Sequence, residues 1–331
     1  MENEYRFLLY SVLNSRTTEE YEIINELFSQ KLDWEKIGGQ LINHRLEGYF
    51  LKNISKELYN KVPKEIMNTL ELLKISQKKQ IEIIGENLVP IFMEFHKRNV
   101  RYIGLKGLIL NASIYEPGYR RSNDSDILVH SEDLNTVNEI LIQNGYKQDD
   151  ESIGNKIDVS IKVKNSHALV PYKKNMNEEF IYEHSIDINY HVNNENNDIT
   201  LKLLNYGSKI YSNQFYKVRG LPEEINLAYL CVDFYEERLK FSGVNRKKNL
   251  MLYKLVDIYH IFRLCIKQDL LNNWSRIIEE LHIDNAVYYT LYVLNKFYQN
   301  DCIQTKLNEL NIEYVENIFE EFEKLAFNLV I

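Results

Sequence analysis

Cysteine is scarce: 331 residues contain three, Cys231, Cys265 and Cys302. Widely spaced thiols in odd number exclude a disulfide framework and offer no paired spacing for a structural zinc site. The chain therefore reads as one that keeps its thiols reduced in the cytoplasm. Long apolar runs are missing too, none approaching the ~18 residues that a membrane span requires. The opening MENEYRFLLYSVLNSRTTEE carries acids where a secretory leader would carry bases. Basic charge is in deficit, with 40 Lys and Arg against 48 Asp and Glu, a formal charge of -8 and a pI near 5.6. That balance disfavours a nucleic-acid partner gripped by the whole surface and favours small-molecule or protein partners, leaving room only for a local basic groove. Internal repeats and low-complexity linkers are also absent.

What is present is ordinary globular composition, 44% hydrophobic and 27% charged, in a chain long enough for two or three packed units. Apolar residues recur at three- and four-residue spacing over residues 1–98, as in YRFLLYSVL, EYEIINELF and EIMNTLELLKISQKKQIEIIGENLVPIFMEFHK. Asp33 is placed to cap a helix at Trp34, and Pro90 to kink or restart the last of these helices. Over residues 99–195 the texture is mixed. VRYIGL and SDILV read as strands, KGLILNASIY as a turn and short helix, and EDLNTVNEILIQN as a helix capped by Ser131 and ended at Gly145. HALVPYK and FIYEHSIDINYHV read as two more strands around a polar turn, KNMNEE. Residues 154–164 fit no element clearly. From 196 to 331 the helical period returns and ends in an amphipathic tail, with FSGVNRKKNL as an exposed loop. The expected organisation is a helical region, an α/β core and a second helical region.

Chemistry concentrates in GYRRSNDSDILVH, residues 118–130. Strand alternation sends Asp124 and Asp126 to one side while Ile127, Leu128 and Val129 enter a core. Two carboxylates so close repel, and a divalent metal is the leading compensation. A lone Asp-x-Asp is a weak signal, since solvated turns often carry one. Three features strengthen it. Lys106-Gly107 forms a turn between a strand and a helix, where backbone, ammonium and helix start can meet phosphate. Asp187, isolated between Ile186 and Ile188, is costly to bury unless paired or metal-bound. Arg120 and Arg121 precede the acidic pair and suit an anion that the metal also touches.

Together these residues resemble the active site of the DNA polymerase β-like nucleotidyltransferase superfamily. The closer likeness is to the bacterial family labelled uncharacterised nucleotidyltransferase. Its pattern is similar to Leu105-Lys106-Gly107, Tyr115, Arg120, Asp124-x-Asp126-Ile127-Leu128-Val129, Gly145-Tyr146 and Asp187-Ile188-Asn189, and the likeness extends over roughly residues 25–265. The resemblance implies an α+β fold: a small mixed sheet with flanking helices set between helical regions. It implies Mg²⁺ or Mn²⁺ held by Asp124, Asp126 and Asp187, these same acids being catalytic, with Lys106, Gly107 and Arg120 contacting a nucleoside triphosphate such as ATP. The implied reaction moves a nucleoside monophosphate to a hydroxyl of a small molecule, peptide or protein and releases pyrophosphate. The chain departs from the pattern at Leu108, where the superfamily favours serine after glycine, and at Asn189, where the family has histidine.

Blander readings stand beside these. An Asp-x-Asp glycosyltransferase using a nucleotide sugar, or a non-catalytic nucleotide-binding or toxin–antitoxin component, shares part of the pattern. A Ca²⁺ loop is excluded because DSDILVHSEDL lacks the turn glycine and terminal glutamate. His184 and His191 flank Asp187 without ligand spacing and read as packing or surface residues. Lys254 and Asp257 are candidates for a cleft, although charges at helical spacing are usually solvated. The 24 tyrosines read mainly as core.

Overall fold

The computed structural model describes residues 3–148, 161–164, 167–192, 199–207, 209–239 and 251–310. The loop FSGVNRKKNL and the amphipathic tail from residue 311 lie outside the described residues, as does residues 154–160 of the ambiguous stretch. The chain divides into two compact units, Met1–Met67 with Glu223–Ile331, and Asn68–Pro222. Both helical ends of the sequence thus contribute to one unit, while residues 68–98 and 199–222 fold with the sheet.

The first unit is helical: α1 (Asn3–Ser11), α2 (Thr18–Ser29), α3 (Trp34–Asn43), α4 (Glu47–Asn53), α5 (Lys56–Tyr59), and, late in the chain, a second set. Asp33 caps α3 as its position in the sequence suggests, accepting from the Lys36 N–H at 3.0 Å. Thr17 caps α2 in a reciprocal box: its hydroxyl accepts from Glu20 N–H at 3.2 Å, and Glu20 Oε2 accepts from Thr17 N–H at 2.7 Å. Glu20 has a second task. It receives the Arg263 guanidinium at 3.1 Å on both oxygens, so one carboxylate ends a helix and ties two distant stretches of the unit together. Thr17→Ala is expected to cost about 1 kcal/mol in urea unfolding. An unchanged denaturation midpoint would show that the box contributes nothing.

In the second unit, α6 (Lys64–Lys97) supplies a long apolar face. Ile81, Ile84, Leu88, Ile91 and Phe95 recur at helical spacing and are buried against the sheet core. The helix runs through Pro90 without ending there; the ring removes one donor, and the burial on either side of it outweighs that loss. Next come β1 (Tyr102–Gly104), α7 (Lys106–Ser113), β2 (Asp124–Val129), α8 (Leu134–Gln143), β3 (Lys147–Gln148), β4 (Tyr172–Glu178), β5 (Ile181–Asn189), α9 (Thr200–Tyr206), β6 (Lys209–Ser212) and β7 (Lys217–Gly220). The first five strands form one mixed sheet in the order β1-β2-β5-β4-β3, with β2 and β5 parallel and the other pairs antiparallel. This is the small mixed sheet with flanking helices of an α+β fold.

Three local expectations change. The polar turn expected at KNMNEE is mostly strand, and β4 reaches Glu178 before turning. Its side chains are polar because most of them stand half or fully in solvent. The cap ahead of α8 is His130, whose Nδ1 accepts from Glu132 N–H at 3.3 Å, with a 3₁₀ turn over Ser131–Asp133 before the helix. A region expected to be helical contains the β6–β7 hairpin. Asn213 closes it by accepting from the N–H groups of Phe215 and Tyr216 at 2.8 and 3.0 Å. Strands this short carry too little alternation to stand out beside helical neighbours.

The helical unit resumes with α10 (Glu223–Leu239), α11 (Leu252–Lys267), α12 (Trp274–Leu281), α13 (Asp284–Tyr298) and α14 (Asp301–Leu310). The tyrosine-rich segment forms α13. Tyr289 and Tyr298 on it are buried, and Tyr298 stacks on Tyr259 with centroids 4.1 Å apart.

Candidate active site

The parallel pairing of β2 with β5 places Asp126 level with Asp187 and Asp124 level with Ser185. Side chains alternate along each strand, so Asp124, Asp126, Ser185 and Asp187 share one face of the sheet. The other face receives Ser125, Ile127, Ile186 and Ile188, all buried. The carboxylates are therefore held at the sheet surface by a core on its reverse side.

Each acid has a different environment. Asp124 is exposed. Asp126 is 8% exposed and accepts from Lys106 Nζ at 3.2 Å. Asp187 is half-buried and accepts from Ser185 Oγ at 3.1 Å on Oδ1. Burial, and then the charge of Asp124, push the Asp187 carboxyl above the usual range; Ser185, Lys164 and Lys106 pull it back. Carboxylate repulsion is thus present on this face, and two lysines oppose it. Among the described residues, no three acid, histidine or cysteine side chains converge closely enough to ligate one ion together.

Lys106 reaches Asp126 because the chain reverses between β1 and α7. Leu105 N–H donates to the Asp126 carbonyl at 2.9 Å, and Lys106 follows with φ +46°. That left-handed conformation costs a non-glycine residue roughly 1–2 kcal/mol, offset by the ion pair. Gly107 leaves no room for a side chain: a Cβ there would collide with Ser122 Oγ and lie 2.7 Å from Arg120 Nη1. Arg120 is itself buried, 5% exposed, and its Nη1 donates to the Arg121 carbonyl at 3.4 Å. The glycine, the arginine and Ser122 therefore pack as one turn beside the acidic pair, Ser122 Oγ donating to the Asp124 carbonyl at 3.2 Å. Gly107→Ala should destabilise by roughly 1–3 kcal/mol through overpacking. Thermal unfolding checks this, and an unshifted midpoint would mean that Ser122 and Arg120 move aside freely.

Sequence reasoning missed three contributors. Ser185 and Lys164 act on Asp187, yet a serine before a strand acid and a lysine in a polar stretch carry no distinct signal. The third is a buried chain behind the acids. Ser125, between the two aspartates, lies 3.0 Å from His184 Nε2, and Tyr146 OH lies 2.8 Å from His184 Nδ1. Burial drives the His184 imidazole down to about 3, so it is neutral, and it links β2, β5 and the turn after α8. His184 is thus a packing residue. His191 lies past the end of β5, its ring edge-on to Tyr190. In the helical unit, Lys254 pairs with Asp233 at 3.2 Å and Glu237 at 2.7 Å, and buried Asp257 accepts from Tyr49 OH at 2.7 Å. Both candidates from that half are engaged within their own unit.

Residues 30–299 match the family described as uncharacterised nucleotidyltransferase. The chain belongs to this family. Its mixed five-stranded sheet with flanking helices is consistent with a nucleotidyltransferase fold, and the matched segment spans both the sheet and most of the helical unit. No curated protein matches the chain. Among the described residues, no helix is long and apolar enough to cross a membrane.

Proposed function

We propose that this nucleotidyltransferase transfers a nucleoside monophosphate from a nucleoside triphosphate to an acceptor hydroxyl on a small molecule, peptide or protein. The observation that carries the proposal is the parallel register of β2 and β5, which gathers Asp124, Asp126 and Asp187 on one sheet face beside Lys106.

The donor set suits a hard divalent cation such as Mg²⁺ or Mn²⁺. Three carboxylates share a face, and Asp187 is driven towards protonation partly by Asp124, a repulsion that a dication relieves. As they stand the three carboxylates do not converge on one point; Asp124, Asp126 and Asp187 would have to draw together around the ion to hold it, and when bound it would supply charge neutralisation and Lewis acidity at the transferring phosphate. The rest falls to the chain. Lys106 offsets negative charge on the triphosphate, and the N-terminus of α7 behind Gly107 presents backbone N–H groups to it. Arg120, packed under Gly107, keeps that turn close to the acids. The acceptor oxygen bonds to the α-phosphorus, the bond from that phosphorus to the bridging oxygen of the β-phosphate breaks, and pyrophosphate leaves. The hydroxyl proton passes to Asp187, the half-buried carboxylate on β5.

The test is pyrophosphate release from each of the four ribonucleoside triphosphates with Mg²⁺ or Mn²⁺, with cell extract supplying the acceptor. Release supported by one triphosphate and lost in Asp124→Ala/Asp126→Ala is the expected outcome. Metal-dependent binding of a nucleotide with no release from any triphosphate would overturn it in favour of a binding role.

A further inference from the structure

A cavity of about 730 Å³ lies within the α/β unit, away from the carboxylate face. Its walls come from the last turns of α6, from β1 and from the β6–β7 hairpin. β1 pairs Tyr102 with Val129 and Gly104 with Ile127, so Tyr102 belongs to the sheet face opposite Asp124 and Asp126. None of the proposed catalytic residues lines the cavity.

Its chemistry is one-sided. Among the described residues, no aspartate or glutamate lines it, while Lys217 and Arg219 do. These two sit at alternate positions of β7 and share a side, with Val218 between them turned into the core. Neither forms an ion pair among the described residues. Arg101, a third lining cation, is already held by Asp133 at 2.9 Å and Glu132 at 2.8 Å. Arg219 stands over the Tyr102 ring, 5.9 Å from its centroid. Tyr102 in turn stacks on Phe92, with centroids 5.4 Å apart and planes at 6°. A guanidinium resting on an aromatic face keeps its N–H edge available for a planar anion. Apolar surface completes the mouth, where Met93 is 67% and Ile210 59% exposed.

We propose that this cavity is a binding site for a small molecule with a flat apolar body and a single carboxylate. The volume suits a ligand of that size. The body packs between the exposed side chains of Met93 and Ile210, and the carboxylate pairs with Arg219 and Lys217. Charge complementarity selects this occupant: two cations without acidic partners beside exposed apolar side chains leave a neutral hydrocarbon undercompensated and repel a cation. The proposal is independent of the nucleotidyl-transfer reading.

Calorimetric titration of the full chain with 2-naphthoate, and with 2-naphthamide as its uncharged counterpart, tests it. Naphthoate is expected to bind at least tenfold more tightly than the amide. Arg219→Met, which keeps a stem against Tyr102, should weaken naphthoate at least tenfold and leave the amide within twofold. If Arg219→Met fails to fold, Lys217→Gln, at an exposed position, should still weaken naphthoate severalfold without affecting the amide. Equal affinity for the two compounds, no naphthoate binding, or variants that bind as the parent does would each overturn the proposal. So would an acidic peptide that binds through Arg219 while naphthoate does not.

Discussion

Under the proposed reaction, Asp126→Asn is expected to lower pyrophosphate release by roughly 10³-fold, equivalent to about 4 kcal/mol of lost transition-state stabilisation at 1.36 kcal/mol per decade. The substitution preserves size and removes charge. It takes away a proposed cation ligand and the carboxylate that holds Lys106 at 3.2 Å, so electrostatics on the triphosphate are disturbed twice. Glu280→Gln is the matched control. This acid lies on α12, paired with Arg276 at 2.8 Å, and its loss should leave the rate unchanged. Steady-state rates for the two variants, with circular dichroism to verify folding, decide the matter. An Asp126→Asn protein that turns over like the parent would remove this sheet face from the chemistry.

The second large effect concerns acid stability. His260 on α11 is buried, accepts from the Asn14 N–H at 3.3 Å, and is held neutral with its pKa driven down to about 3. Burial is the main cause, with the positive charges of Arg263 and Arg16 acting the same way and the backbone at Val12 opposing them. An unfolded histidine titrates near 6.5. Between those values the unfolded chain binds a proton that the folded one refuses, so stability rises with pH. It is fully present above about 6.5 and is lost as the pH falls towards 3. From pH 7 to pH 5, His260 alone should remove about 2 kcal/mol, and His184 acts in the same direction in the α/β unit. Urea unfolding of the parent and of His260→Gln across that range measures it. The variant is less stable throughout but should lose about 2 kcal/mol less on acidification. Parallel curves would show that His260 is protonated in the folded state.

Local physics made much of this protein legible. Asp33 reads as a cap because its side chain needs only the next turn's N–H groups, and α3 begins there. The strand at Asp124–Val129 reads from a period of two followed by a buried apolar run. The acidic pair stands out because two carboxylates ahead of a core strand cost free energy that some partner must offset. The β6–β7 hairpin escaped because four-residue strands supply too few positions to distinguish periods of 2 and 3.6. The polar β4 was read as a turn because solvation of most of its side chains erases the apolar signal.

The sequence by itself determined the α+β class and the family and singled out the three acids as candidates, because these depend on residue type and on spacing within a few positions. Tertiary structure alone decided the rest. Pairing β5 beside β2 in parallel brings Asp187 level with Asp126 across a separation of 61 residues, and no local pattern encodes which strands become neighbours. Long-range packing likewise placed Ser185 and Lys164 around Asp187, buried Arg120 under Gly107, and left Arg219 beside an aromatic wall. Burial, charge balance and cavity shape arise only when segments distant along the chain share a core, since each is a property of the assembled surface and not of any stretch of residues.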